Sequence, residues 1–341
     1  MTGPAVSVVV PTRDGKALLE RCLASLEAQT FRDFEVVVVD NGSSDGSREL
    51  VQRRFPSAIL VELAENRGFA GGSNAGAEQA RGAAIAVVNN DIEAEASWLE
   101  ELVSCLDRHP RAASLASKIL RRDDPRVLDG AGDEMTRSLK AYRRGQGERD
   151  RGQYEHEEQV FSASGTACLW RAEVFRRLGG FDEGFHAYYE DVDLGFRARR
   201  AGWECWYAPR AVVYHVGGGT SGGRWSEFES FYSVRNRWAT IAKNAPTGWL
   251  VRNAPLVVTG ELASLGRAVA RGEVRFVLRA YRDLVRSAGA LRAQRAEAAL
   301  GAVAGYRELR AAVAGAFPPA RGTIFRLGLA RRFTSSGAPA A

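Results

Sequence analysis

FEVVVVDNGSSDGS, residues Phe34–Ser47, decides the fold. Four consecutive valines cannot alternate between a wet and a dry face, so this strand is covered on both sides. Such a strand belongs inside a sheet flanked by helices. The run stops at Asp40 and gives way to a polar, glycine-bearing turn and a short helical stretch, Ser47–Arg54.

The same alternation extends in both directions. VSVVVP (Val6–Pro11) is a buried strand, and Lys16–Gln29 places Leu18, Leu19, Cys22, Leu23 and Leu26 at helical spacing. AILVEL (Ala58–Leu63) and AAIAVVNND (Ala83–Asp91) read as the third and fourth strands, with a helix again at Trp98–Leu106. Strands alternating with helices predict an α/β fold: a Rossmann-like, mainly parallel sheet with helices on both faces. Ligands of such sheets sit beyond the carboxyl ends of the strands. Four loops therefore matter: PTRD (Pro11–Asp14), DNGSSDGS (Asp40–Ser47), ENRGFAGGSNAG (Glu65–Gly76) and NND (Asn89–Asp91).

Between Arg121 and Gln159 the pattern breaks into charged, apolar-poor sequence, which reads as a long surface excursion and a candidate flap over the cleft. Order returns at VFSASGTACLWRAEVFRRLGGFDEGF, then FHAYYEDVDLGFRARRAG (Phe185–Gly202), a strand-like Trp203–His215, a flexible GGGTSGG loop and a helix at Trp225–Lys243. The first unit is expected to end near Pro246, with a nucleotide-side half at 1–120 and a second half at 160–246. A basic helical extension follows over 247–333, then a disordered tail at 334–341.

Charge is uneven. The chain carries +6, but residues 248–341 hold fifteen arginines, no lysine and five acids, a local +10 that leaves the rest at −4. This is not a nucleic-acid-binder profile. It suits an anionic surface or a pyrophosphate-bearing substrate, or a merely soluble arginine-rich helix. Arg271, Arg275, Arg279, Arg282 and Arg286 form one ridge, beside Val274, Val277, Leu278, Tyr281, Leu284 and Val285. That pattern fits a bilayer surface, or packing on the body or on a second subunit. The four cysteines are widely spaced and read as reduced and buried, which fits the cytosol. The N-terminus does not read as a signal peptide, and no apolar run approaches a membrane span, so membrane contact would be peripheral.

Several residues stand out by position. Asp40 either accepts hydrogen bonds from a nucleoside or caps a turn. The glycines of Glu65–Gly76 let backbone approach a ligand at a helix N-terminus, with Arg67 as an added cation. Asp91, at a strand end among amides, suits Mg²⁺ or Mn²⁺, or belongs to a plain turn. His215 is a candidate second ligand, or a strand-end histidine bonded to backbone. On a helix starting at Glu190, Asp191 falls on the small apolar face, while Asp193 falls opposite, with Arg197 and Arg200, as a surface ion pair. Phe196 lies outside the apolar arc.

Taken together, VSVVVPTRD, VVVVDNGSSDGS, ENRGFAGGSNAG, VVNND, SGTACLWRAEVFRRLGGFDEGFHAYYEDVDLGFRARRAG and YHVGGGTS resemble glycosyltransferase family 2, in its rhamnosyltransferase-like branch. The resemblance spans roughly residues 6–245 in the expected order. It implies a GT-A fold and an inverting, metal-dependent transferase using a nucleotide-diphosphate sugar, with dTDP-rhamnose first and UDP-hexoses next. The acceptor would be lipid-linked or a glycan of the cell envelope, and the enzyme cytoplasmic, peripheral on the inner face of the membrane. By resemblance Thr12 and Asp40 contact the nucleoside, and Asn66, Arg67, Gly68 and Asn90 line the donor. Asp91 holds the metal with His215, Asp191 is the general base, and Glu190 helps bind the acceptor. Asn89 stands where the family's DxD-like motif often has its first carboxylate. Arg235 and Arg237 are within reach of an acceptor diphosphate, or are surface arginines. Two rival readings are a nucleotidyltransferase, for which PTRD lacks the glycine-rich basic signature, and a non-catalytic nucleotide-sugar-binding scaffold.

Overall fold

The computed structural model describes residues 3–217 and 227–319. The first half runs β1 (Val6–Thr12), α1 (Lys16–Glu27), β2 (Phe34–Asn41), α2 (Ser47–Arg54), β3 (Ile59–Leu63), α3 (Gly68–Gln79), β4 (Ala84–Val88), β5 (Ile92–Ala94) and α4 (Trp98–Arg108). Then come β6 (Ala112–Arg121), β7 (Leu128–Ala131), β8 (Asp133–Met135), β9 (Ala141–Arg143), β10 (Glu158–Gln159), β11 (Ala167–Arg171), α5 (Ala172–Arg177), α6 (Glu190–Arg200) and β12 (Glu204–His215). Helices α7 (Glu227–Asn244), α8 (Thr247–Arg271), α9 (Val274–Arg286), α10 (Ala288–Leu300) and α11 (Tyr306–Ala311) complete the described chain. Most of the predicted GGGTSGG loop and the 334–341 tail lie outside the described residues.

The valine run sits inside a ten-stranded sheet ordered β10-β12-β6-β11-β4-β1-β2-β3, with β5 on β12 and β7 on β6. β3, β2, β1 and β4 are parallel, while β11 runs antiparallel between β4 and β6. Val8, Val10 and Val38 face a core with Leu19, Leu26 and Trp98. Val9, Val37 and Val39 face another with Ala70, Phe175 and Leu194. Both faces are dry, which is why the run need not alternate.

Parallel pairing carries the strand ends to one edge, with Thr12 opposite Asp40. The fourth strand stops at Val88, short of the expected Asp91, and the Asn89 N–H donates to the Thr166 carbonyl at 3.0 Å. The chain then enters β5, whose register sets Ile92 against His215. That three-residue strand is what brings the far end of β12 beside Asp91.

Small residues in α3 serve packing as well as access. A Cβ on Gly76 would meet Val9 Cγ1 at 2.4 Å and Val39 Cγ2 at 2.8 Å, so this glycine lets the helix lie on the sheet. Within the segment only Gly68, at φ 74°, needs left-handed backbone.

Two expectations are corrected. The 121–159 segment is not a surface excursion. β7 joins the sheet, β8 and β9 form a hairpin, and Leu128, Met135 and Leu139 are buried. Its interior positions hold small and acidic residues, so hydropathy misses them. Asp193 is likewise not on the surface. It is fully buried, with Arg197 at 2.8 Å, Lys243 at 2.9 Å and Asn244 at 2.7 Å. Arg200 instead donates to the Asn244 carbonyl at 2.7 Å. A third core explains both Asp193 and Phe196: α7 and α8 cover the second side of α6, where Phe196 packs with Phe161, Ile241 and Trp249. A single-helix wheel cannot register that second neighbour.

In α9, Val277 and Ala280 face inward, while Leu278 and Val285 are exposed between Arg275, Arg279, Arg282 and Arg286. The two apolar residues stand within the arginine face rather than beside it.

Candidate active site

At the end of β1, Thr12 Oγ1 accepts from Asn90 Nδ2 at 2.8 Å, both side chains buried. At the end of β2, Asp40 accepts from the Ser43 N–H at 3.2 Å and pairs with Arg48. Its neighbour Asn41 ties down the next loop, accepting from the Arg67 N–H at 2.8 Å and donating to the Gly68 carbonyl at 2.9 Å. Asn66 Oδ1 accepts from the Gly68 N–H at 2.9 Å. Arg67 itself is clamped by Glu183, with Nη2 2.8 Å and 2.9 Å from the two carboxylate oxygens. Thr12, Asp40, Asn66, Arg67, Gly68 and Asn90 thus share one rim.

Asp91 is buried beyond β4. His215 Nε2 stands 3.2 Å from its Oδ1, but out of hydrogen-bond alignment, which leaves that oxygen buried with no hydrogen bond. His215 Nδ1 faces Asp129 Oδ2 at 2.8 Å. Burial pulls the imidazole down, but Asp129 and Asp91 outweigh it and lift it to about 9. Asp129 responds in the opposite sense: burial pushes it up, yet His215, Arg143 and Gln146 hold it well below the carboxylate range. An orphaned carboxylate oxygen, an imidazole nitrogen beside it and a second carboxylate orienting the ring form the donor set of a divalent-ion site. Asp91 and His215 are the residues that would hold Mg²⁺ or Mn²⁺ here, the ring giving up its Nε2 proton to the exchange.

Asp191 lies in the first turn of α6. Its Oδ2 accepts from the Gly165 N–H at 2.9 Å and its Oδ1 from the Val192 N–H at 2.8 Å. Glu190 beside it is buried with Oε2 unbonded. Burial and the Asp191 charge push Glu190 well above its ordinary value.

Three residues of the 121–159 segment complete this centre, and sequence reasoning missed them. Asp133 is buried and lifted to about 8 by burial and by Asp191. Arg143 donates to Asp129 Oδ2 at 3.0 Å and to Thr166 Oγ1 at 3.0 Å, within electrostatic range of Asp133 and Asp191. The available signal was LDGAGDE, three acids around three small residues, which a charge count reads as surface.

Asn236, between the two singled-out arginines, is a further miss. It is fully buried, and its Nδ2 lies 2.8–2.9 Å from the carbonyls of Phe185, Ala187 and Tyr188. It holds the segment that delivers α6, where His186, Tyr188 and Tyr189 all have positive φ. Arg235 donates to Asp283 at 2.9 Å and to the Gly184 carbonyl at 2.6 Å. Arg237 is buried against Glu261. In this structure both arginines bond within the fold.

Residues 7–179 match the Glycosyl transferase family 2 profile, and residues 97–304 match Glycosyl transferase family group 2. The chain belongs to glycosyl transferase family 2. It is a glycosyltransferase of the rhamnosyltransferase-like branch. One family 2 relative is the N-acetylglucosaminyl-diphospho-decaprenol L-rhamnosyltransferase of Mycobacterium tuberculosis, 31% identical over 235 residues, covering 61% of this chain and 75% of the relative. Among solved structures, GalNAc-T7 with UDP, GalNAc and Mn²⁺ matches at TM-score 0.56 and 16% identity, over 70% of this chain and 48% of that one. The mannosyltransferase PcManGT from Pyrobaculum calidifontis, with GDP-Man and Mn²⁺, matches at TM-score 0.52 and 20% identity, over 91% and 83%. These two likenesses establish the GT-A fold.

Proposed function

We propose that this family 2 enzyme transfers one sugar, rhamnose first, from a nucleotide-diphosphate sugar to a lipid-linked or polysaccharide acceptor of the cell envelope, with inversion. The position of Arg143 carries this reading. Its guanidinium bonds Asp129, which orients His215, and it also lies in range of Asp191. Asp91, His215 and the carboxylate Asp191 therefore line one centre. The named activity of the mycobacterial relative supports rhamnose and a diphosphate-linked lipid acceptor.

Asp191 takes the acceptor hydroxyl proton as that oxygen attacks the anomeric carbon, and the bond to the diphosphate breaks on the opposite face. Glu190, buried beside Asp191 with Oε2 unbonded, offers that oxygen to the acceptor. Thr12, Asp40, Asn66, Gly68 and Asn90 hold the donor. Arg67 adds its cation to the diphosphate, with Nη2 shared with Glu183. Asp91 and His215 would hold a divalent ion, which would supply positive charge to the departing diphosphate. Arg235 and Arg237 are proposed to serve the acceptor through the segment and helices they brace. Among the described residues no helix is long and apolar enough to cross a membrane. We read α8 and α9 as the surface that meets the inner leaflet, with a second copy as the alternative partner.

A panel of nucleotide sugars with Mn²⁺, read first by thermal shift and then by turnover, tests the donor. dTDP-rhamnose should stabilise the protein and be consumed. Stabilisation by a UDP-hexose alone would replace rhamnose.

A further inference from the structure

Four rings cluster beside α6. His186 stacks on Tyr232 with centroids 5.6 Å apart and planes at 22°. Phe228 lies 4.6 Å from Tyr232 and 5.9 Å from His186, and Tyr188 lies 6.1 Å from Phe228. Phe228 is 38% exposed, and the other three are half-buried.

Both ends of the cluster touch the site. At one end the His186 carbonyl accepts from the Ala70 N–H at 3.2 Å. Gly68 lies so close that a Cβ there would meet His186 Nδ1 at 2.5 Å. At the other end Tyr188 is in range of Arg143 and stands three residues before Asp191. The backbone presenting these rings is left-handed at His186 (φ 61°) and Tyr188 (φ 67°). Side chains hold such conformations only where the surroundings over-determine them, and that recurs at functional sites. Asn236 supplies the constraint.

The cluster offers apolar ring surface, its planes tilted 53–69° around Phe228 and near parallel only between His186 and Tyr232, with Arg13 and Arg143 in electrostatic range. A pyranose has the complementary shape: one apolar C–H face edged by hydroxyls. A polyprenyl chain has no use for the two arginines. We propose that His186, Tyr188, Phe228 and Tyr232 form a stacking platform for the sugar ring of the acceptor, seating its hydroxyl at Asp191. This rests on the transferase reading above, and adds a binding surface to it.

The test uses the full chain and an N-acetylglucosaminyl diphosphate carrying a short alkyl chain, observed by saturation-transfer NMR. Saturation should enter the ring C–H protons. Phe228→Ala and Tyr232→Ala should each weaken binding about tenfold, while Tyr232→Phe keeps it. UDP or dTDP thermal shifts should be the same in all variants, which shows that fold and donor side are intact. Unchanged probe affinity in both alanine variants overturns the platform, as does saturation confined to the alkyl protons. A wild-type protein that binds the probe but consumes no nucleotide sugar overturns the transferase reading and leaves the platform standing.

Discussion

His215 Nδ1 and Asp129 Oδ2 lie 2.8 Å apart, joining a strand end to a segment that its composition marks as surface. The contact fixes the ring so that Nε2 points at Asp91. Asp129→Asn keeps the shape but removes the charge that holds the tautomer. Outer-shell losses of this kind cost about 10–100-fold in metal affinity. Mn²⁺ titration by EPR should show that weakening, with circular dichroism unchanged. Equal Mn²⁺ affinity in the variant would remove Asp129 from the site.

Asp191→Asn retains the hydrogen bonds from Gly165 and Val192 but cannot take a proton. Transfer should fall by about 10²–10⁴-fold. Thermal shift by the donor should persist. Turnover close to wild type would sink the assignment of the base.

Asp133 gives a pH signature. Its folded value is about 8, against an ordinary 3.8, through burial and the Asp191 charge, partly offset by Arg143 and Ser162. Between those values the folded state binds the extra proton, so its contribution to stability falls as pH rises from 4 to 8. Asp133→Asn removes the titration. Melting curves from pH 5 to 8.5 should be flatter for the variant, which should be the more stable protein at the alkaline end. Some slope should remain, because Glu190 is shifted in the same direction. Parallel curves for the two proteins would contradict a buried, protonated Asp133.

The sheet was legible because a strand with two dry faces has no other composition available: Val36–Val39 admits no solvent side. Asp91 and His215 were legible as polar strand ends, although only the pairing of Ile92 with His215 makes them neighbours. Asp129, Asp133 and Asp193 were not legible, because a buried acid and a surface acid are the same letter. What buries them is distant in sequence: β9 supplies Arg143, and α7 supplies Lys243 and Asn244. Asn236 was hidden by its flanking arginines, which invited a reading by charge.

Asn236→Ala strips one donor from three carbonyls, that of Phe185 buried and those of Ala187 and Tyr188 part-buried. It should cost about 1–3 kcal/mol in stability. It should also lower kcat more than it raises the donor KM, since the Phe185–Tyr189 segment sets the start of α6. Thermal melts and steady-state kinetics check the two halves separately. A stability loss with kcat intact would make Asn236 a structural residue only.

The membrane surface is best tested by point changes. Deleting residues from 248 onward would strip Trp249 and Val257 from the core they share with Phe196, and so damage the body as well. On α8, Val251, Val258, Leu262 and Val269 are 56–70% exposed. The helix's one acid, Glu261, is turned inward, paired with Arg237. An apolar stripe without exposed acids, next to the arginines of α9, suits an anionic leaflet. Val258→Glu with Leu262→Glu should abolish flotation with phosphatidylglycerol vesicles, while activity on a soluble acceptor persists. Replacing Arg275 and Arg282 by glutamine should weaken flotation and reduce its salt dependence. Wild-type protein that never floats, but elutes as a dimer broken by the glutamate pair, would assign this face to a second copy instead.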